Sequence, residues 1–117
     1  MDLAAVYSQM IAAAMRRDRV TLRSLLMSQG ITVVTPEALD VYRESVAATL
    51  ERLYCFDIRN NRTPVVALFM MESSGECGPA LRKLEEQYRG LKLTDAQWKQ
   101  HVLEMVHELH TVYAVEN

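Results

Sequence analysis

A chain of 117 residues suits a single domain that buries roughly two-thirds of its extended surface, so it needs neither disulfide nor metal to stay folded. With 50% hydrophobic and 24% charged residues it is too apolar for disorder, and a formal net charge of −2 excludes an obvious polyanion binder. Its two cysteines, Cys55 and Cys77, match no zinc or redox spacing and read as free thiols of a reducing cytoplasm.

The first predicted helix spans about Asp2 to Arg17, with Leu3, Val6, Tyr7, Met10, Ile11 and Ala14 on one face. Asp18 is placed to cap a shorter helix, Arg19 to Gln29, which buries Leu22, Leu25 and Leu26. Gly30 ends it, and Ile31 to Val34 form an extended link. Thr35-Pro36 opens a third helix reaching about Tyr54, because proline is tolerated where an N–H has no intrahelical partner. Its stripe is Leu39, Tyr42, Val46, Leu50 and Leu53.

Cys55 to Met71 admits two readings. Thr63-Pro64 repeats the Thr-Pro start and favours a buried helix over Val65 to Ser73, since Leu68, Met70 and Met71 are good helix formers. The alternative is a β-hairpin over about residues 54–71, turning at Arg59-Asn60-Asn61-Arg62. Ser73 to Gly78 is a loop. Pro79 to Arg89 follows as a helix, with Leu81, Leu84 and Tyr88 at helical spacing.

The last helix runs from Thr94 to Tyr113. Thr94 and Gln97 form a capping-box pair, and Trp98, Val102, Met105, Leu109 and Val112 recur at spacings of 4, 3, 4 and 3. Trp98, Met105, Leu109 and Val112 make one apolar seam, a candidate interface with a second copy, while Leu103 lies off it. Trp98 is expected to be substantially buried.

No catalytic or ligand-binding motif stands out. Glu104-x-x-His107 has the spacing used by di-iron bundles, yet all three histidines lie in one helix and this pair faces away from the seam. His101 borders the apolar stripe and is expected to be half-buried. Ser73 and Ser74 make no nucleophile elbow, and no glycine-rich phosphate loop occurs.

Arg16, Arg17, Arg19 and Arg23 concentrate positive charge where the first two helices join, in outline a helix-turn-helix able to meet phosphates. The acidic balance weighs against nucleic acid, and cations near a helix C-terminus are favoured by its dipole in any case. Seven methionines, among them Met10, Met15, Met27 and Met105, read as core fillers before they read as an adaptable groove. Glu85-Glu86 reads as a solvated face. Glu37, Asp40, Glu44 and Glu51 read by default as a solvated face too, but they share a side of the third helix and make an acidic stripe that could meet a basic partner.

These readings converge on an all-α fold, a compact bundle of five or six helices over residues 1–117, with α+β containing one hairpin as the alternative. The expected function is a non-enzymatic protein–protein interaction module, a small adapter, regulator or assembly chaperone that forms a homodimer. It needs no cofactor or metal and has no membrane partner. The start at Met1-Asp2 has no signal-peptide character, and the longest apolar run, Val65 to Met71, is too short to span a bilayer, so a cytoplasmic location is expected. A helix-turn-helix regulator using the four arginines is the second reading, and an enzyme without a familiar motif the third.

Overall fold

Helix α1 (Leu3–Met15) begins where Asp2 accepts hydrogen bonds from the free amides of Ala4 and Ala5 at 3.0 and 3.3 Å. The computed structural model describes residues 2–32, 35–70 and 79–114, with the side chain of Pro79 outside that description. Val6, Met10, Ala13 and Ala14 form the buried face of α1. Arg17 then adopts φ +56°, a left-handed conformation that stops the helix and reverses the chain.

The next segment departs from the expected helix start at Arg19. The Asp18 side chain accepts from the amide of Arg19, and the chain stays extended through strand β1 (Val20–Thr21). Thr21 is the actual cap of α2 (Leu22–Ser28), in a reciprocal capping box with Ser24. The reason is tertiary. Buried Val20 is drawn into a parallel pairing with strand β2 (Phe69–Met70), in the register Val20 to Phe69 and Thr21 to Met70.

Helix α3 (Pro36–Arg59) starts at the predicted Thr35-Pro36 but runs past Tyr54, consuming the first arm of the possible hairpin. Tyr54 and Asp57 continue the buried row of Val46, Leu50 and Leu53, so burial at helical period overrides the β-preference of Tyr-Cys-Phe. Asn60 and Asn61 terminate a helix rather than turn a hairpin, with Asn61 at φ +55° where asparagine is tolerated. Between Val65 and Leu68 the expected helix is a single 3₁₀ turn, after which Phe69–Met70 is extended; residues 71–73 lie outside the described part. That turn is buried throughout and packs against α1, α3 and a fifth helix.

Helix α4 (Pro79–Arg89) buries Leu81 and Leu84, while Tyr88 is exposed rather than part of the core row, and Gly90 at φ +67° ends it. Helix α5 (Asp95–Tyr113) has the expected Thr94–Gln97 capping box. Val102, Met105, Val106 and Leu109 are buried, Trp98 is half-buried against the core, and Leu103 is exposed. Val112 stands apart from the buried members of the seam. It is 66% exposed, in the turn beyond the last core residue of α5. His110 donates a ring N–H to the carbonyl of Asp18 at 2.9 Å and ties α5 to the turn after α1.

Among the described residues the architecture is thus an all-α bundle of five helices with one two-stranded parallel sheet in place of a hairpin. No helix among the described residues is long and apolar enough to cross a membrane.

Candidate interaction groove

Several residues that looked chemically promising are committed to the fold. Met105 and Leu109 are buried in the chain's own core, so the predicted α5 seam is not a continuous surface open to a second copy. Arg19 is half-buried and donates through Nη2 to the carbonyl of Ala67 at 3.2 Å. Arg23 is also half-buried, while Arg16 and Arg17 are exposed at the end of α1. Glu104 and His107 face water, and no group of three or more His, Cys, Asp or Glu side chains able to hold a metal occurs among the described residues.

Glu85 overturns the expectation of a solvated Glu85-Glu86 face. Its position one turn after Leu81 places it on the buried side of α4, where it is completely inaccessible. Arg89, one turn further, grips the carboxylate with Nε and Nη2, and the Tyr54 hydroxyl donates to it at 3.1 Å. His101 of α5 is half-buried, as its place beside the stripe implies, with Nε2 3.5 Å from the same carboxylate. Burial, then the charge of Glu85, pushes the Tyr54 hydroxyl up to about 12. This cluster fastens α3, α4 and α5 together.

A second buried carboxylate shapes a surface. Asp57, near the end of α3, accepts from the Tyr7 hydroxyl at 2.7 Å and from the Val65 amide at 2.9 Å. Burial raises its carboxyl above the usual carboxylate range, while those two donors and the Arg62 charge oppose the rise. Burial and the bond to Asp57 likewise push the Tyr7 hydroxyl upward. Asp57 therefore sets the spacing between the start of α1 and the end of α3.

Between these two helix segments lies an open groove of about 630 Å³. Leu3, Tyr7 and Ser8 line the α1 side, and Leu53, Cys55 and Phe56 the α3 side. Phe56 is 47% exposed, stands edge-on to Tyr7 with ring centroids 5.6 Å apart, and has the Arg62 guanidinium 5.8 Å from its centroid. Arg52 and Arg59 complete the rim, both exposed. Among the described residues no acidic side chain lines the groove, and neither Arg52 nor Arg59 has an ion-pair partner. Cys55 is a free, half-buried thiol in this wall; Cys77 lies outside the described residues.

Arg52, Arg59 and Arg62 were not legible as a site because, although they fall within eleven residues, Glu51 and Asp57 are interleaved with them and no run of positive charge results. The available signal was their helical spacing, seven residues from Arg52 to Arg59 on the side opposite Val46, Leu50 and Leu53.

The fold and groove define a small helical bundle with a basic-rimmed apolar surface. No protein-family model matches the chain, and no curated protein or solved structure matches it either.

Proposed function

We propose that the protein is a non-enzymatic interaction module that binds an acidic, amphipathic helical segment of a protein partner in the α1–α3 groove. One observation carries this reading. Three arginines border an apolar groove that, among the described residues, no acidic residue lines, and two of them have no counter-charge among those residues. A groove between two helices is a natural seat for a third, whose apolar face would cover Phe56 and Tyr7 while its acids meet the rim. The charged rim sets partner choice and encounter rate more than affinity. The free Cys55 thiol fits a reducing, cytoplasmic setting.

The test is fluorescence anisotropy with a labelled synthetic peptide carrying glutamates on one helical face and leucines on the other. Binding should weaken with salt and fall about tenfold or more in R52E/R59E. Equal binding by wild type and variant, or no binding, defeats the proposal. Salt-dependent binding of duplex DNA in its place would favour the regulator reading through Arg16, Arg17 and Arg23.

A further inference from the structure

Helix α3 carries a second exposed stripe, on the side away from the core. Taking 100° per residue, Glu37, Val41, Glu44, Ala48, Arg52, Cys55 and Arg59 fall within an arc of about 80°, opposite Val46, Leu50, Leu53 and Asp57. All but Cys55 are exposed, and Val41 is 76% exposed. The stripe is polarised along the helix, with acids in its first half and bases in its second. Glu51, at its edge, already accepts a hydrogen bond from the Tyr88 hydroxyl at 3.0 Å.

We propose that the segment seated against the groove is α3 of a second copy of this chain, running antiparallel about a twofold axis at Ala48. This rests on the groove reading and names its occupant. An antiparallel pair centred there sets Glu37 opposite the partner's Arg59 and Glu44 opposite the partner's Arg52. The twofold axis repeats both pairs on the other side, so every contact is made twice. Val41 meets the wall formed by the partner's Cys55 and Phe56, filling an otherwise open apolar position. At the axis two alanines face each other, and a side chain that small permits close helix approach. The parallel arrangement is disfavoured because it sets Glu37 and Glu44 against their own copies and Arg52 and Arg59 against theirs. Antiparallel pairing also opposes the two helix dipoles. Because the pairs are solvent-exposed, the dimer is salt-sensitive.

Charge-swap variants test this directly. Wild type should be a dimer by sedimentation equilibrium at concentrations up to about 1 mM, dissociating as salt is raised. E37R/E44R and R52E/R59E should each be monomeric. An equimolar mixture of the two should form a heterodimer, and the four-fold variant E37R/E44R/R52E/R59E should recover the homodimer. Circular dichroism checks that each variant is folded, and the two rescues guard against a loss caused by misfolding. A monomeric wild type overturns the proposal. So does a mixture that stays monomeric, or a pair of single-patch variants that each still dimerise. E37R/E44R keeps its groove intact and should bind the synthetic acidic peptide at least as well as wild type. If the peptide binds but wild type does not self-associate, the second copy is the wrong occupant and the groove reading stands. If the peptide also fails to bind, both fall.

Discussion

Asp57 and Glu85 are both carboxylates with no access to solvent, yet they are held in opposite ways. Asp57 is satisfied chiefly by neutral donors, the Tyr7 hydroxyl and the Val65 amide, drawn from segments 50 and 8 residues away in sequence. Glu85 is satisfied by a cation on its own helix, Arg89, together with the Tyr54 hydroxyl. The difference concerns what each partner does once the carboxylate is gone. Arg89 is about a third exposed and reaches water by a change of rotamer. The Val65 amide is fixed in a buried turn and has nowhere to go. A buried carboxylate that serves immobile backbone is therefore a stronger structural tie than one that serves a flexible side chain.

The largest expected effect is that of Asp57→Ala. It strands a buried amide and a half-buried hydroxyl, each costing about 1–3 kcal/mol without a partner, so the fold should lose about 3 kcal/mol or more. Urea denaturation followed by circular dichroism measures this, and a loss under about 1 kcal/mol would contradict the role assigned to Asp57. Because Asp57 also spaces the groove walls, any peptide affinity should drop with it.

Glu85→Ala should cost less, about 2 kcal/mol, since the buried Tyr54 hydroxyl loses its acceptor and His101 Nε2 its carboxylate neighbour while Arg89 turns outward. The same denaturation experiment compares the two variants. If Glu85→Ala proves the more damaging, partner mobility is not what separates the two sites.

The smallest effect is on pH dependence. In the folded chain the Asp57 carboxyl is raised above its ordinary value, mainly by burial. Between the ordinary value, about 3.9, and the raised one, the folded state holds a proton that the unfolded state has released. Stability contributed by this site is therefore greatest at low pH and declines as pH rises through that window. The difference in unfolding free energy between wild type and Asp57→Asn should fall across that window and level off above it. Parallel curves would show that Asp57 ionises as readily in the fold as out of it.

Which features were legible in advance follows from how local their causes are. The Thr35-Pro36 start of α3 and the Thr94–Gln97 capping box of α5 were readable because each is completed by residues within three positions. The core rows of α1, α3 and α5 were readable from their period, and His101 at the edge of its stripe was placed correctly as half-buried. Glu85 was misread because its burial depends on Tyr54 and His101, which come from other helices. The groove could not be seen because the residues that join α1 to α3, Tyr7 with Asp57 and Phe56, lie about 50 residues apart in sequence.

By itself the sequence determined that the chain is a helical bundle, where most of its helices begin, and which residues fill much of the core. Those properties arise from helix period, capping chemistry and the positions of proline and glycine, all acting within a few turns. Tertiary structure alone decided that Val20–Thr21 pairs with Phe69–Met70, that α3 continues to Arg59, and that two carboxylates lie inside. It also brought Arg52, Arg59 and Arg62 around one apolar groove. Each of those outcomes depends on which distant surface a segment is packed against, and burial then outweighs the local preference of the residues involved.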